Sequence, residues 1–157
     1  MGAGKTTVGR QLAAELGKIF HDTDQEIERR TGVKISLIFE IEGEAGFRAR
    51  EAQVVDQLTQ LSNVVLATGG GAVLDPANRE HLAHRGLVIY LHGQPKDLWQ
   101  RTRYDKSRPL LQNTDALEKL QCLYRQRDPL YREIADIVVD TGHQRIRTLL
   151  VQLLPQV

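Results

Sequence analysis

The sequence predicts an α/β fold in three layers, a central parallel sheet between two layers of helices. Three observations point there. Short apolar runs alternate with stretches of helical periodicity along all 157 residues, the pattern of strand–helix–strand units whose crossovers set strands parallel. The run Asn63-Val64-Val65-Leu66-Ala67-Thr68 is continuously apolar through its middle, as a strand covered on both faces must be. The opening M-G-A-G-K-T-T-V-G-R leads directly into an amphipathic helix, the arrangement of a phosphate-binding loop.

Taken in order, Val8, Leu12 and Leu16 recur at helical spacing over 6–16, and Gly17 stops that helix. Lys18-Ile19-Phe20-His21 is a short strand ending in the acidic turn Asp22-Thr23-Asp24. Helical patterns cover 25–30, 36–42 and 44–61; the strand 63–68 follows and breaks at Gly69-Gly70-Gly71. Asp75 and Pro76 open another helix as N-cap and first helical residue, where a missing amide costs nothing. Leu87-Val88-Ile89-Tyr90-Leu91 is the clearest strand and precedes a helix over 95–103. Residues 104–113 are polar and without periodicity. Helices resume over 115–126 and 130–135, and a strand at 136–140 and a helix at 144–154 follow. With no linker or repeat in this run, a single domain over 1–157 is expected.

Composition narrows the class. Hydrophobic residues at 41% and charged residues at 26% are ordinary for a soluble globular chain. A net charge of +1 offers nucleic acid no bulk attraction. The single cysteine, Cys122, leaves no internal disulfide and suits a reducing cytosol. No apolar run approaches the roughly 20 residues of a membrane helix, and no secretory h-region opens the sequence. A cytoplasmic enzyme or binding domain, with neither nucleic acid nor membrane as partner, is the class that remains.

The glycines at 2 and 4 let the backbone curl until consecutive N–H groups face a phosphate, aided by the positive end of the following helix. Lys5 then reaches the β- and γ-phosphates, and the Thr6 hydroxyl ligates Mg²⁺. Asp22 and Asp24 stand at the C-terminal end of a strand, the ligand-binding edge of an open parallel sheet. Alternation along an extended chain sends both carboxylates to one side. One can hold Mg²⁺ and the other accept a proton from a substrate hydroxyl, and either can instead cap the next helix. Gly69, Gly70 and Gly71 lie on the same edge and give a ligand close access to backbone N–H groups. The arginines are less decided. Arg48 and Arg50, two apart on a helix, face different ways, so one of them points into the cleft. Arg108 sits in a polar loop suited to close over phosphates, and Arg127, near a helix end, also suits the helix dipole. His81 and His84 share a helix face with no third ligand placed beside them. Cys122 reads as core filler and Trp99 as packing.

Together these stretches resemble the shikimate kinases. The likeness is carried by M-G-A-G-K-T-T-V-G-R at 1–10, D-T-D-Q-E-I-E at 22–28, G-F-R-A-R-E at 46–51, V-V-L-A-T-G-G-G-A-V at 64–73, S-R-P-L-L at 107–111 and R-D-P-L-Y at 127–131. It is weakest over 112–123. The resemblance implies a P-loop kinase fold of the nucleoside monophosphate kinase type, and ATP-dependent phosphorylation of shikimate at its 3-hydroxyl in aromatic amino-acid biosynthesis. It also implies roles. Gly2, Ala3, Gly4, Lys5, Thr6 and Thr7 hold ATP, with Arg101 against the adenine. Arg108 is the arginine of a lid over about 104–115 and meets the transferred group. Arg48 and Arg127 clamp the shikimate carboxylate with their planar forks, and Gly69, Gly70 and Gly71 form the substrate-side loop. Asp24 binds the ring hydroxyls and receives the proton; Thr6 ligates Mg²⁺ directly and Asp22 lies near it. Catalysis then falls to Lys5, Asp24 and Arg108, with Mg²⁺ adding charge stabilisation. A monomer is expected.

Members of that family carry a strand and then G-P-M ahead of G-A-G-K, so Met1 falls on an internal methionine. The central strand is therefore expected to be absent from this chain, with two neighbours left unpaired and a void between them. A start chosen at an internal methionine is the expected cause. The rival readings are another small-metabolite kinase of the same fold, such as a gluconate kinase, and a nucleotide-binding protein impaired by the absent strand.

Overall fold

The computed structural model describes residues 2–102, 115–142 and 144–157. Gly2 and Gly4, left-handed at φ 77° and 81°, turn the chain into α1 (Lys5–Leu16), which ends at Gly17, φ 62°. β1 (Ile19–Asp22) runs straight into α2 (Thr23–Thr31). Asp22 is the N-cap: its Oδ1 accepts from the Asp24 and Gln25 amides at 3.0 and 3.3 Å. Asp24 therefore lies on the first turn of a helix, not on extended chain, and the expected alternation of the two acids does not apply. The helix start brings Asp24 round instead.

α3 (Ile35–Leu58) is broken at Gly43, φ 71°, between the two helical patterns of the sequence. It ends three residues before the expected Leu61, ahead of β2 (Val64–Ala67). After a 3₁₀ turn at Ala72–Leu74 comes α4 (Pro76–Arg85), capped by Asp75, which accepts from the Ala77 amide at 2.9 Å. β3 (Ile89–His92) and α5 (Pro95–Thr102) follow, then α6 (Ala116–Ile134), β4 (Ile137–Asp140) and α7 (Ile146–Leu153).

α6 is one helix where two were expected. Pro129 lies inside it; proline removes one amide from the ladder and crowds the carbonyl of Arg125, a local cost that a helix held by tertiary packing absorbs. Arg127 is consequently mid-helix, where no terminal dipole is near. Cys122 is exposed and fills no core. The buried residues of α6 are Leu120 and Arg127, seven apart and so on one face, and position 122 falls off that face.

The strands form two parallel pairs, not one continuous sheet. Ile19 to Asp22 register with Val64 to Ala67, and Ile89 to His92 with Ile137 to Asp140. Between β2 and β3 lies a cavity of about 610 Å³ whose lining includes Val8, Leu12, Val65, Ile89, Leu91 and Leu153. Among the described residues no strand pairs with β2 or β3 across it.

Helices nevertheless cover both faces. Val65 packs against a cluster containing Val8 and Leu12 of α1 and Leu150 and Leu153 of α7. Leu66 packs against Ile27, Ile38, Phe47 and Val54 of α2 and α3. Successive residues of one strand point to opposite faces, so this pair of contacts defines the α/β/α layering. Among the described residues no helix is long and apolar enough to cross a membrane.

Candidate active site

The loop ahead of α1 ends at Gly4, which offers no side-chain cap. The first amides of α1 point out of its N-terminal end, and with the helix dipole they attract an anion. Thr6 Oγ1 donates to Asp22 Oδ2 at 2.8 Å, so the loop touches the acid at the end of β1. Arg101 Nη2 donates to the Thr141 carbonyl at 2.6 Å. With Gly2, Ala3, Gly4, Gly142 and Gln144 it lines a second cavity, of about 360 Å³, beside the loop. Thr7 is exposed on α1. Arg108, and the expected lid as far as residue 114, lie outside the described residues. Among the described residues no three His, Cys, Asp or Glu side chains gather to hold a metal ion.

The second half of the site is built from α2, α3, α6 and the triple glycine. Arg48 Nη1 pairs with Glu51 Oε2 at 2.6 Å, and its Nη2 reaches Glu44 at 3.3 Å. Arg50 turns away and pairs with Glu42 at 2.7 Å, so Arg48 is the arginine of the two that enters the pocket. Glu51 is 1% exposed and Arg127 is 7% exposed. Asp24 Oδ1, Glu51 Oε1, Arg48 Nε and Arg127 Nε are all buried without a hydrogen-bond partner. Each such atom costs about 1–3 kcal/mol. Four together, two acceptors and two donors, mark a pocket shaped for a ligand that carries both kinds of group.

Electrostatics couple this pocket to the phosphate loop. The Asp24 carboxyl is raised from 3.8 to about 6, first by burial and then by the neighbouring Asp22 and Glu51. Lys5 and Arg48 pull against them. One carboxylate therefore feels the charges of the loop lysine and the pocket arginine at once. Burial also raises Glu51, against the pull of Arg48 and Arg127.

The glycines explain how so much charge fits. A Cβ on Gly69 would stand 2.5 Å from Glu51 Oε1 and 2.9 Å from Asp24 Oδ1, and a Cβ on Gly71 would collide with the Arg48 guanidinium. Access for a ligand was the expected reason for three glycines; here the site's own side chains make the close approach.

The family model for shikimate kinase matches residues 1–157. The chain belongs to the shikimate kinase family. A shikimate kinase of Thiobacillus denitrificans is 66% identical over 146 residues, which cover 93% of this chain and 80% of that protein. That of Nitrosococcus oceani is 55% identical over 156 residues, 99% of this chain and 82% of its own length. Among solved structures, the shikimate kinase from Acinetobacter baumannii in complex with shikimate aligns with a TM-score of 0.95 at 51% identity, covering 99% of this chain and 87% of that one. The shikimate kinase from Bacteroides thetaiotaomicron aligns at 0.91 with 32% identity, covering 99% and 93%. The fold is thus the P-loop kinase fold that the sequence predicts, and the relatives and structures named here are shikimate kinases.

Set in this shikimate kinase frame, two buried groups and one half-buried tyrosine stand out that the site residues read from sequence did not include. Glu51 is one, and its spacing of i, i+3 from Arg48 on a helix was the available signal. Thr23, 0% exposed, accepts from the Gly69 amide at 2.9 Å. Tyr131 donates its hydroxyl proton to the Gly70 carbonyl; its place at i, i+4 from Arg127 puts it on the same face of α6. The histidines stand elsewhere: His81 is 3.5 Å from Asp56, and His84 Nδ1 lies 2.9 Å from the Glu80 carbonyl.

Proposed function

We propose that this chain transfers the terminal phosphoryl group of ATP to the 3-hydroxyl of shikimate, giving shikimate 3-phosphate and ADP. The observation that carries the reading is Asp24, a carboxylate with one buried oxygen that feels the charges of both Lys5 and Arg48. The amides of Gly2, Ala3, Gly4, Lys5, Thr6 and Thr7 cradle the phosphates, and Lys5 balances the charge on the β- and γ-groups. Arg101 is assigned to the adenine, and Arg108, outside the described residues, to the transferred group. The substrate carboxylate bridges Arg48 and Arg127, meeting the two buried Nε atoms that lack partners. Gly69, Gly70 and Gly71 close the substrate side.

In this placement the 3-hydroxyl oxygen attacks the γ-phosphorus. The bond from that phosphorus to the β–γ bridging oxygen breaks, its electron pair leaves with ADP, and the hydroxyl proton passes to Asp24. An acid titrating near 6 is ionised at neutral pH and ready to accept it. Mg²⁺ is the cofactor this chemistry calls for. Thr6 Oγ1 and Asp22 Oδ2, hard oxygens 2.8 Å apart, suit an ion that takes one or two protein oxygens and completes its shell with phosphates and water. When bound it neutralises charge on the β- and γ-phosphates.

We assign residues 1–157 to one P-loop kinase domain, monomeric and cytoplasmic, with a lid over about 104–115. The cavity between β2 and β3 has the unpaired parallel edges and the largely apolar lining that one further strand would need. A coupled assay for ADP release, with Mg²⁺-ATP and then shikimate or gluconate, tests the activity. Release that depends on shikimate is expected. Release driven by gluconate, or none with either acid, would remove the reading.

A further inference from the structure

Three glycines in a row have many conformations to lose, yet Gly69 and Gly71 must sit tightly against Asp24, Glu51 and Arg48. Two hydroxyls restrain them. Thr23 Oγ1 takes the Gly69 amide at 2.9 Å, and the Tyr131 hydroxyl takes the Gly70 carbonyl. Tyr131 is itself fixed. Its ring lies on that of Tyr90 from β3, with centroids 4.9 Å apart and planes inclined at 33°. The Tyr90 hydroxyl donates to Asp128 Oδ1 at 2.8 Å, and Asp128 Oδ2 accepts from Arg132 Nε at 2.9 Å. Burial raises the Tyr131 phenol, so it keeps its proton and remains a donor at any working pH. A side chain anchored on the β3 side of the cavity thus reaches across to the loop after β2.

We propose that the Tyr131 hydroxyl is a positioning group for the acid substrate: by holding the Gly70 carbonyl it sets the triple-glycine loop against Arg48 and Arg127. The proposal rests on the shikimate kinase reading of this pocket. Loss of the bond releases the Gly70 carbonyl while Thr23 still holds Gly69, and it leaves the ring and its packing in place, so the effect belongs in substrate binding and not in global stability.

Tyr131→Phe keeps the ring on Tyr90 and removes only the hydroxyl. Steady-state kinetics should show KM for shikimate raised about tenfold, the size of one lost hydrogen bond. KM for ATP should not move, kcat should stay within about twofold, and Tm within about 2 °C of the parent. An unchanged KM for shikimate, or an equal rise in both KM values, would overturn the proposal. So would a variant that fails to fold, because the hydroxyl would then be supporting the fold and not the loop. A parent chain that releases no ADP with shikimate would instead sink the functional reading beneath it.

Discussion

Replacing Asp24 by asparagine is expected to abolish turnover and at the same time to make the protein more stable. The first effect is chemical. An amide cannot take the hydroxyl proton, and losing a positioned base lowers kcat by about 10²–10⁴. ATP affinity should be nearly unchanged, since the phosphates are held by the loop ahead of α1. The second effect follows from the direction of the titration shift. Asp24 is raised from 3.8 to about 6 in the folded state, chiefly by burial. The fold therefore prefers the protonated acid, and above pH 6 it carries an ionised group it would rather keep neutral. At pH 7 that penalty is at most about 3 kcal/mol, so the variant gains up to that amount and its Tm rises by about 5–10 °C. The gain shrinks as pH falls through 6 and vanishes below about 4, where both states of the parent are protonated. Melting curves at pH 7 and pH 4 check the sign. Undiminished turnover would remove Asp24 as proton acceptor, and equal Tm at pH 7 would remove the strain.

Adding about five strand-forming apolar residues ahead of Gly2 is expected to raise the unfolding free energy by about 5–10 kcal/mol. The reason is the cavity of about 610 Å³ between β2 and β3. Each apolar side chain buried there contributes about 1.5–3 kcal/mol, and ordering the segment costs about 1–2 kcal/mol per residue. Each backbone group of β2 and β3 that gains a partner adds about 0.5–1.5 kcal/mol. The added segment also leads directly into Gly2–Lys5 and would steady the phosphate loop, so ATP should bind more tightly. A Gly/Ser extension of the same length is the control. If denaturant midpoints of the two extended chains coincide, the space is not a strand's seat.

Local chemistry was readable from the sequence where it is decided locally. Gly17 ends α1 because a left-handed residue closes that helix, and Asp75-Pro76 opens α4 as cap and first residue. The parallel pairing followed from alternation of strands and helices, which leaves few topologies open. What stayed hidden was decided across space. Pro129 looked like a boundary, because nothing in its neighbours says that packing would carry α6 through it. Cys122 looked like core filler because the buried face of α6 is set by Leu120 and Arg127, and an arginine at 7% exposure is not guessed from type. Asp24 could be named beside Asp22, but its place on a helical turn depends on Asp22 spending an oxygen as the α2 cap. Tyr131 meets Gly70 from 61 residues away, and no spacing rule reaches that far.

The account stands on a single carboxylate placed between the phosphate loop and the acid pocket, and the pH dependence of kcat/KM for shikimate tests it most directly. That quantity reports groups of the free enzyme. Asp24 must be ionised to accept a proton, so the account predicts an acid limb bending near pH 6 and falling about tenfold per pH unit below it. A profile that stays level from pH 7 to pH 5 would contradict the account.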